Sequence, residues 1–309
     1  MRVLVTGGAG FIGSNFVHYL LETRDDVEVV TLDALTYAGS TANLDGVLEN
    51  PRHRFVEGDI RDEALVAELL ADVEVVVNFA AESHVDRAIE GAAPFVATNV
   101  EGTRTLLDAA LSADIERFLQ ISTDEVYGEV LEGRASEDAA LEPRNPYAAT
   151  KAAADHLALS YATTHGLPLV VTRTCNNYGP RQNAEKLIPK FITNAAAGKD
   201  LPVYGDGSNV REWIYIWDNC RALDCVLRDG TGGEIYNVGT GDERSTLEVT
   251  RAIVGAVDSA DEAQITFVED RPGHDKRYAV ATDKIERLGW QPKWSFDEGL
   301  AETVAHYLD

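Results

Sequence analysis

The sequence predicts an α/β protein, a doubly wound parallel sheet joined to a smaller α/β C-terminal domain. Three observations predict it. Short apolar runs alternate with amphipathic stretches through the first half of the chain, a glycine-rich turn follows the first run at once, and an aspartate closes the second. Alternating strand and helix periods are the rhythm of βαβ units, whose strands lie parallel and are covered on both faces.

In chain order, Val3-Leu-Val5, Val27 to Leu32, Arg54-Phe-Val56, Val73 to Val77, Phe118 to Ile121 and Leu169 to Thr172 read as strands, short and rich in branched or aromatic side chains. Helical patterns fill most of the gaps. Pro94 to Ala113 and Tyr147 to His165 read as long helices with alanine- and leucine-rich faces. After about Cys175 the rhythm loosens: Tyr204-Gly-Asp-Gly-Ser208 is a turn cluster, and Pro202, Pro272 and Pro292 interrupt the pattern.

The first turn, Gly7-Gly-Ala-Gly10-Phe11-Ile12-Gly13, lies between a strand and a helix beginning near Ser14, where glycines let backbone approach a pyrophosphate at the helix N-terminus. Its spacing differs from the commoner G-x-G-x-x-G, so position carries the argument. Asp33 follows Gly13 by about 20 residues and ends the second strand, where a carboxylate accepts hydrogen bonds from ribose hydroxyls and repels a 2′-phosphate. NAD is therefore favoured over NADP, with Asp59-Ile60 after the third strand a fainter candidate for the adenine edge. Residues 1–175 are expected to form this Rossmann-type NAD-binding domain, completed by segments from about 211–236, with 176–309 mainly a second ligand-binding domain packed on it.

The chain has 309 residues, 45% of them hydrophobic, enough for a large core. Its 52 acidic residues against 27 Lys and Arg leave a net charge of -25, which makes nucleic-acid phosphate an unlikely partner. Such a surface repels itself when unscreened and suggests a halophilic setting, a cytoplasm of high salt. The chain opens on a strand pattern, and no apolar run approaches the ~18 residues of a membrane helix, so a cytoplasmic protein without membrane contact is expected. Cys175, Cys220 and Cys225 lack metal-ligand spacing and read as reduced structural thiols, with no metal site.

Thr123-Asp124-Glu125 and Tyr147-Ala-Ala-Thr-Lys151 carry the chemistry. The first follows a strand and so lies on the carboxyl edge of the sheet, where doubly wound folds bind ligands. Two neighbouring carboxylates in a dehydrated cleft resist joint ionisation, leaving one an acid and the other a base. Tyr147 and Lys151 are one helical turn apart. A phenol is too weakly acidic to serve as a base near neutrality unless positive charge lies close by, which Lys151 and an oxidised nicotinamide supply. Thr123 can hold the hydroxyl that Tyr147 deprotonates.

The glycine turn, Asp33, Ala80-Ala81 and Tyr147-x-x-x-Lys151 resemble the extended short-chain dehydrogenase/reductase family. Within it, Asp33-Ala-Leu-Thr-Tyr-Ala-Gly39, Ala81-Glu-Ser-His-Val-Asp-Arg87, Ser122-Thr-Asp-Glu-Val-Tyr-Gly128, Asn176-Asn-Tyr-Gly-Pro180, Glu185-Lys-Leu-Ile-Pro189 and Arg271-Pro-Gly-His-Asp275 are similar to the dTDP-glucose 4,6-dehydratases. The resemblance covers nearly the whole chain. It implies that Gly7, Gly10, Phe11, Ile12, Gly13, Asp33, Ala34, Leu35, Thr36, Asp59, Ile60, Ala80, Ala81, Glu82, Ser83, His84, Thr98, Tyr147, Lys151 and Asn177 line NAD. It implies likewise that His84, Thr123, Asn176, Lys186, Leu187, Pro202, Val203, Tyr204, Arg211, Asn237, Asp270, Arg271, Pro272, Gly273, His274 and Asp275 hold the nucleotide sugar.

Arg211 and Arg271 suit bidentate diphosphate contacts. The implied reaction is a lyase's: Tyr147 takes the C4 hydroxyl proton, Glu125 the C5 proton, Asp124 protonates the leaving C6 hydroxyl, and NAD is regenerated. A nucleotide-sugar 4-epimerase, a GDP-mannose 4,6-dehydratase and a non-catalytic NAD sensor are the competing readings. An epimerase would give Asp124 and Glu125 no work, and a sensor would not need both Tyr147 and Lys151. The two long helices are expected to pair with their copies in a homodimer.

Overall fold

A computed structural model describes residues 1–258, 260–261, 264–270 and 273–308. Strands β1 (Arg2–Thr6), β2 (Glu28–Asp33), β3 (His53–Glu57), β4 (Val75–Asn78), β5 (Arg117–Thr123) and β6 (Leu169–Thr174) alternate with helices α1 (Phe11–Thr23), α2 (Glu63–Leu70), α3 (Val85–Glu90), α4 (Ala93–Phe95), α5 (Thr103–Ala113) and α6 (Pro146–His165). The remainder comprises β7 (Asn176–Tyr178), α7 (Leu187–Ala196), β8 (Leu201–Tyr204), β9 (Val210–Tyr215), α8 (Ile216–Asp229), β10 (Ile235–Val238), β11 (Glu243–Ser245), α9 (Thr246–Ala256), β12 (Ile265–Val268), α10 (Asp283–Glu286) and α11 (Phe296–Leu308).

The main sheet has seven parallel strands in the order β10-β6-β5-β4-β1-β2-β3. The order reverses between β1 and β4, and the crevice at that switch point is where such sheets bind ligands. Side-chain alternation explains the two covered faces. Val3, Val5, Val75, Val77, Leu119, Ile121 and Val170 pack with Phe16 and Leu20 of α1 and Cys220 and Leu223 of α8. Their neighbours Leu4, Val76, Phe118, Leu169 and Val171 point the other way, onto Val66 of α2, Leu106 and Leu107 of α5 and Ala158 of α6. The fold expected from the alternating runs is the fold observed.

Three strands, β11-β9-β7, and a parallel pair, β12-β8, make the smaller sheets of the C-terminal part. The first apolar cluster runs on without a break into Phe191 and Ile192 of α7, Ile253 of α9 and Leu300 of α11, so the two parts share one core. Between them the chain crosses back, α8 packing beside α1 and β10 pairing with β6. The three cysteines are free and buried.

One helix differs from its expectation. Pro94 to Ala113 is not a uniform helix, because Val96–Gly102 is a π-helical segment between α4 and α5. The wider turn lets the Asn99 side chain accept from Glu82 N at 2.9 Å and donate both to Glu82 O at 3.0 Å and to the Thr150 hydroxyl at 2.9 Å.

Candidate active site

A cleft of about 410 Å³ opens along the carboxyl ends of β1, β2, β4, β5 and β6. Its cofactor half is shaped by close backbone approach. Gly7 has φ +65°, and a Cβ there would lie 2.7 Å from Ala80 N; one on Gly13 would collide with the Gly7 carbonyl oxygen. The turn therefore packs against α1 and the β4 loop with no side chain between them.

Asp33 braces this turn from β2, its Oδ2 accepting from Ala9 N at 2.9 Å and its Oδ1 from Leu35 N at 2.8 Å. Burial pushes its carboxyl up, and the two backbone bonds pull it back. A carboxylate offers about four acceptor positions, so lone pairs remain for two sugar hydroxyls.

The chemical half hangs on the end of β5. Thr123 ends the strand and caps the 3-10 turn Asp124–Tyr127, its hydroxyl accepting from Glu125 N and donating to Asp124 Oδ1, both at 3.3 Å. Asp124 is 3% exposed, and burial, then the charges of Glu125 and Glu212, push its carboxyl well above the usual range. Its surroundings therefore disfavour the charged form. Glu125 is half-buried and accepts from Asn145 Nδ2 at 3.1 Å.

Opposite stands α6, with Asn145 as its N-cap and Pro146 at its first position. Tyr147 meets the edge of Phe95, and Lys151, one turn on, donates from Nζ to the Ile121 carbonyl at 2.6 Å. Burial drives the Tyr147 phenol upward, the Glu125 charge adds to this, and the Thr123 hydrogen bond opposes it. Lys151 is lowered to about 8 by burial, with Asp155 pulling the other way. The positive charge expected at Tyr147 was that of Lys151 together with oxidised nicotinamide; within the protein itself the Lys151 ammonium is drawn to the strand carbonyl, and burial and the carboxylates set the direction of the phenol's shift.

Most of the residues expected at NAD line this cleft: Gly7, Gly10 to Gly13, Asp33, Ala34, Thr36, Asp59, Ile60, Ala80 to His84, Thr98, Tyr147, Lys151 and Asn177. Leu35 does not; it sits at φ 48° and packs on the core, giving Asp33 its backbone N–H. Of the residues expected at the sugar, His84, Thr123, Asn176 and Lys186 line the same cleft. Lys186 Nζ donates to Ser83 O at 3.4 Å across its mouth, beside an Arg87–Glu185 ion pair at 3.0 Å.

A second cluster stands on β9 and the chain after β12. Arg211 donates to Asp275 O at 2.9 Å and lies over the Tyr278 ring at 4.2 Å, close enough to Asp124 to moderate its shift. Asp275 also takes Arg144 at 2.8 Å, and His274 pairs with Asp270 at 2.7 Å and meets the Tyr204 ring. Gly273 holds a left-handed φ of +67° beside them, and Pro202 is half-buried on β8.

Three other expected contacts belong neither to the cleft lining nor to this second cluster. Val203 points into the core, and Leu187 packs against it. The Asn237 amide is buried, donating to Ala135 O at 3.0 Å and accepting from the Tyr127 hydroxyl at 2.8 Å. Arg271 and Pro272 lie outside the described residues. The cleft also gathers Tyr37, Arg61, Gln182 and Asn183, which sequence reasoning did not single out. They arrive on loops whose paths no local pattern reveals. Asn145 was missed too, although Asn-Pro before a helix is a start signal.

With this geometry in view, comparison with known proteins is decisive. A family model described as GDP-mannose 4,6 dehydratase matches residues 4–303. The chain belongs to that family. Among its relatives, the low-salt glycan biosynthesis protein Agl12 of Haloferax volcanii is 67% identical over 308 residues, covering 100% of this chain and 99% of the relative. The dTDP-glucose 4,6-dehydratase of an Actinoplanes strain is 49% identical over 313 residues, covering 99% and 98%. The crystal structure of DesIV, a dTDP-glucose 4,6-dehydratase from Streptomyces venezuelae with NAD bound, superposes with a TM-score of 0.97 at 52% identity, over 99% of this chain and 97% of that one. This family membership makes the protein a nucleotide-sugar dehydratase of the extended short-chain dehydrogenase/reductase fold.

Proposed function

We propose that this protein converts dTDP-glucose to dTDP-4-keto-6-deoxyglucose and water, with NAD regenerated in each turnover, for deoxysugar and glycan synthesis. The cleft fits the cofactor: its glycine turn leaves room for a diphosphate, Asp33 keeps acceptors for ribose, and buried Asp124 Oδ2, His84 Nδ1 and Asn177 Oδ1 have no partner within the described protein. NAD bound there would take the C4 hydrogen as hydride and return it to C6.

The rest falls to side chains. Tyr147 would accept the C4 hydroxyl proton as its phenolate, a form that the positive charge of oxidised nicotinamide beside it would favour, with Thr123 orienting that hydroxyl. Glu125 takes the C5 proton, which a C4 ketone has made acidic, Asp124 delivers its proton to the departing C6 hydroxyl, which leaves as water, and Glu125 gives its proton back to C5 as the hydride returns to C6. The observation that carries the reading is the pair on one turn: the buried Asp124 carboxyl, whose charged form is disfavoured, beside Glu125, whose carboxyl accepts from an amide donor. An epimerase needs neither. Relatives named for dTDP-glucose favour that nucleotide over the GDP in the family description, and competition with UDP-glucose tests it.

Hydride transfer and elimination use different residues, so mutation separates them. Tyr147→Phe is expected to abolish C4 oxidation, seen as no change in nicotinamide absorbance on mixing with dTDP-glucose. Glu125→Gln is expected to keep that change while C5 deuterium exchange and water loss fall by ~10²-fold or more. Elimination at the parent rate in Glu125→Gln would make the carboxylate pair a mere acidic turn. Net accumulation of reduced cofactor during turnover would point to a simple dehydrogenase.

The division near residue 175 assigns the first part to NAD and the second mainly to the sugar, with α8 and β10 crossing back to the first. Asn176 and Lys186 supply sugar contacts from the cleft, and Arg211 with the Asp270 to Asp275 segment would grip the diphosphate. Exposed Ala149, Ala153, His156 and Ser160 on α6 and Leu111 on α5 support a homodimer through these two helices. Sedimentation at working salt is expected to give twice 33.6 kDa; a monomer would remove the interface. No helix among the described residues is long and apolar enough to cross a membrane. Three buried free thiols fit a reducing cytoplasm.

A further inference from the structure

Asn145 performs two tasks with one amide. Its Oδ1 accepts from Ala148 N at 2.8 Å, closing the first turn of α6, and its Nδ2 donates to Glu125 Oε2 at 3.1 Å. The two partners fix the orientation of the amide, because only the oxygen can accept from an N–H and only the nitrogen can donate to a carboxylate. On one side lies the helix that carries Tyr147 and Lys151; on the other lies the turn that carries Asp124 and Glu125.

We propose that Asn145 is a positioning residue for elimination, registering the Glu125 carboxylate against the helix that bears Tyr147. The inference rests on the dehydratase reading of this site. Oxidation at C4 and proton removal at C5 act on adjacent carbons of one sugar, so the phenol and the carboxylate must keep a fixed separation. Thr123 ties the backbone of the carboxylate turn to the end of β5, but of the two groups only Asn145 holds the Glu125 side chain itself. A carboxylate free to rotate would lose alignment with the C5 hydrogen, and small misplacements of reacting groups cost up to ~10²-fold.

Helix capping alone would make the same residue useful, so the test separates the two tasks. Ser and Asp cap helices about as well as Asn, while Ala does not. Neither Asn145→Ser nor Asn145→Asp places an amide donor at Glu125. Asn145→Ala is expected to lower the melting temperature, with Asn145→Ser and Asn145→Asp largely restoring it. In single turnovers with dTDP-glucose, Asn145→Ser should show the parent change in nicotinamide absorbance but C5 deuterium exchange slowed ~10- to 100-fold, and Asn145→Asp should be at least as slow. Full recovery of exchange in both variants would reduce Asn145 to a cap and overturn the proposal.

A second measurement needs no substrate. Melting temperatures of Asn145→Ser, Glu125→Gln and the double variant should be non-additive, as expected of residues in contact. Strict additivity would count against the clamp. A parent protein inert toward dTDP-glucose would instead defeat the dehydratase reading, leaving this cycle to decide whether the two side chains are coupled.

Discussion

Asp124 is a carboxyl whose charged form the fold disfavours. Its pKa in the folded protein lies above that of the unfolded chain, chiefly through burial and then through Glu125. Between the two values the folded state holds a proton that the unfolded chain has released, so this group's contribution to stability falls as pH rises through that window. Asp124→Asn should therefore melt higher than the parent, with the gap widening as pH climbs, while loss of the C6 hydroxyl slows. A gap independent of pH would mean that Asp124 is charged in the fold. The side chains proposed to react, which line one cleft, were legible because they cluster along the chain at strand ends and helix spacing. Side-chain direction was not: the motifs name Val203 and Asn237 without showing that the first side chain is packed in the core and that the second is held in a buried network.

The π-helical segment is the element where local reasoning fell short. Val96 to Gly102 has no glycine or proline before its last position, and its widened turn follows from a distant demand, the bonds of Asn99 to Glu82 and Thr150. Glu82 lines the cleft and Thr150 lies on α6 beside Lys151, so Asn99 joins the cofactor wall to the catalytic helix. Asn99→Ala strands buried donors and acceptors at ~1–3 kcal/mol each. Its melting temperature should fall by several degrees, and NAD should bind more weakly in equilibrium titration. An unchanged melting temperature would show that water replaces the amide. Strand β10 was legible only in part: a return of the chain from about 211–236 was expected, but a four-residue strand does not state which strand it will pair with. The first six strands were readable because each announces itself in apolar alternation.

Over the whole molecule, charge is the property that the sequence states most openly and that the fold alters least. Arg104 meets Glu63, Glu101 and Asp108 together, and Arg134 meets Glu212 and Glu243, yet 52 acidic groups outnumber 27 cations. Repulsion among the remainder reaches across ~30 Å at 0.01 M salt and only ~3 Å at 1 M. The melting temperature should climb as KCl rises from dilute to molar, and a flat response would remove the case for a halophilic protein. The relative from Haloferax volcanii agrees with that expectation. Where the second part sits on the first was beyond sequence reasoning, because the shared core is built from residues too far apart along the chain to form a local pattern.

The return of α8 and β10 to the main sheet has a consequence for how the protein is made. Strand β6 ends at Thr174, and its outer neighbour begins only at Ile235. At ~5–20 residues per second, the emerging chain spends several seconds with that strand edge unpaired and with the sheet face later covered by α8 bare. Leu169-Val170-Val171 is the kind of apolar edge that recruits another chain. The main sheet is therefore complete only once residues up to Val238 have emerged. A nascent chain stalled near residue 200 is thus an aggregation hazard, and release from it comes with the synthesis of four residues, Ile235 to Val238.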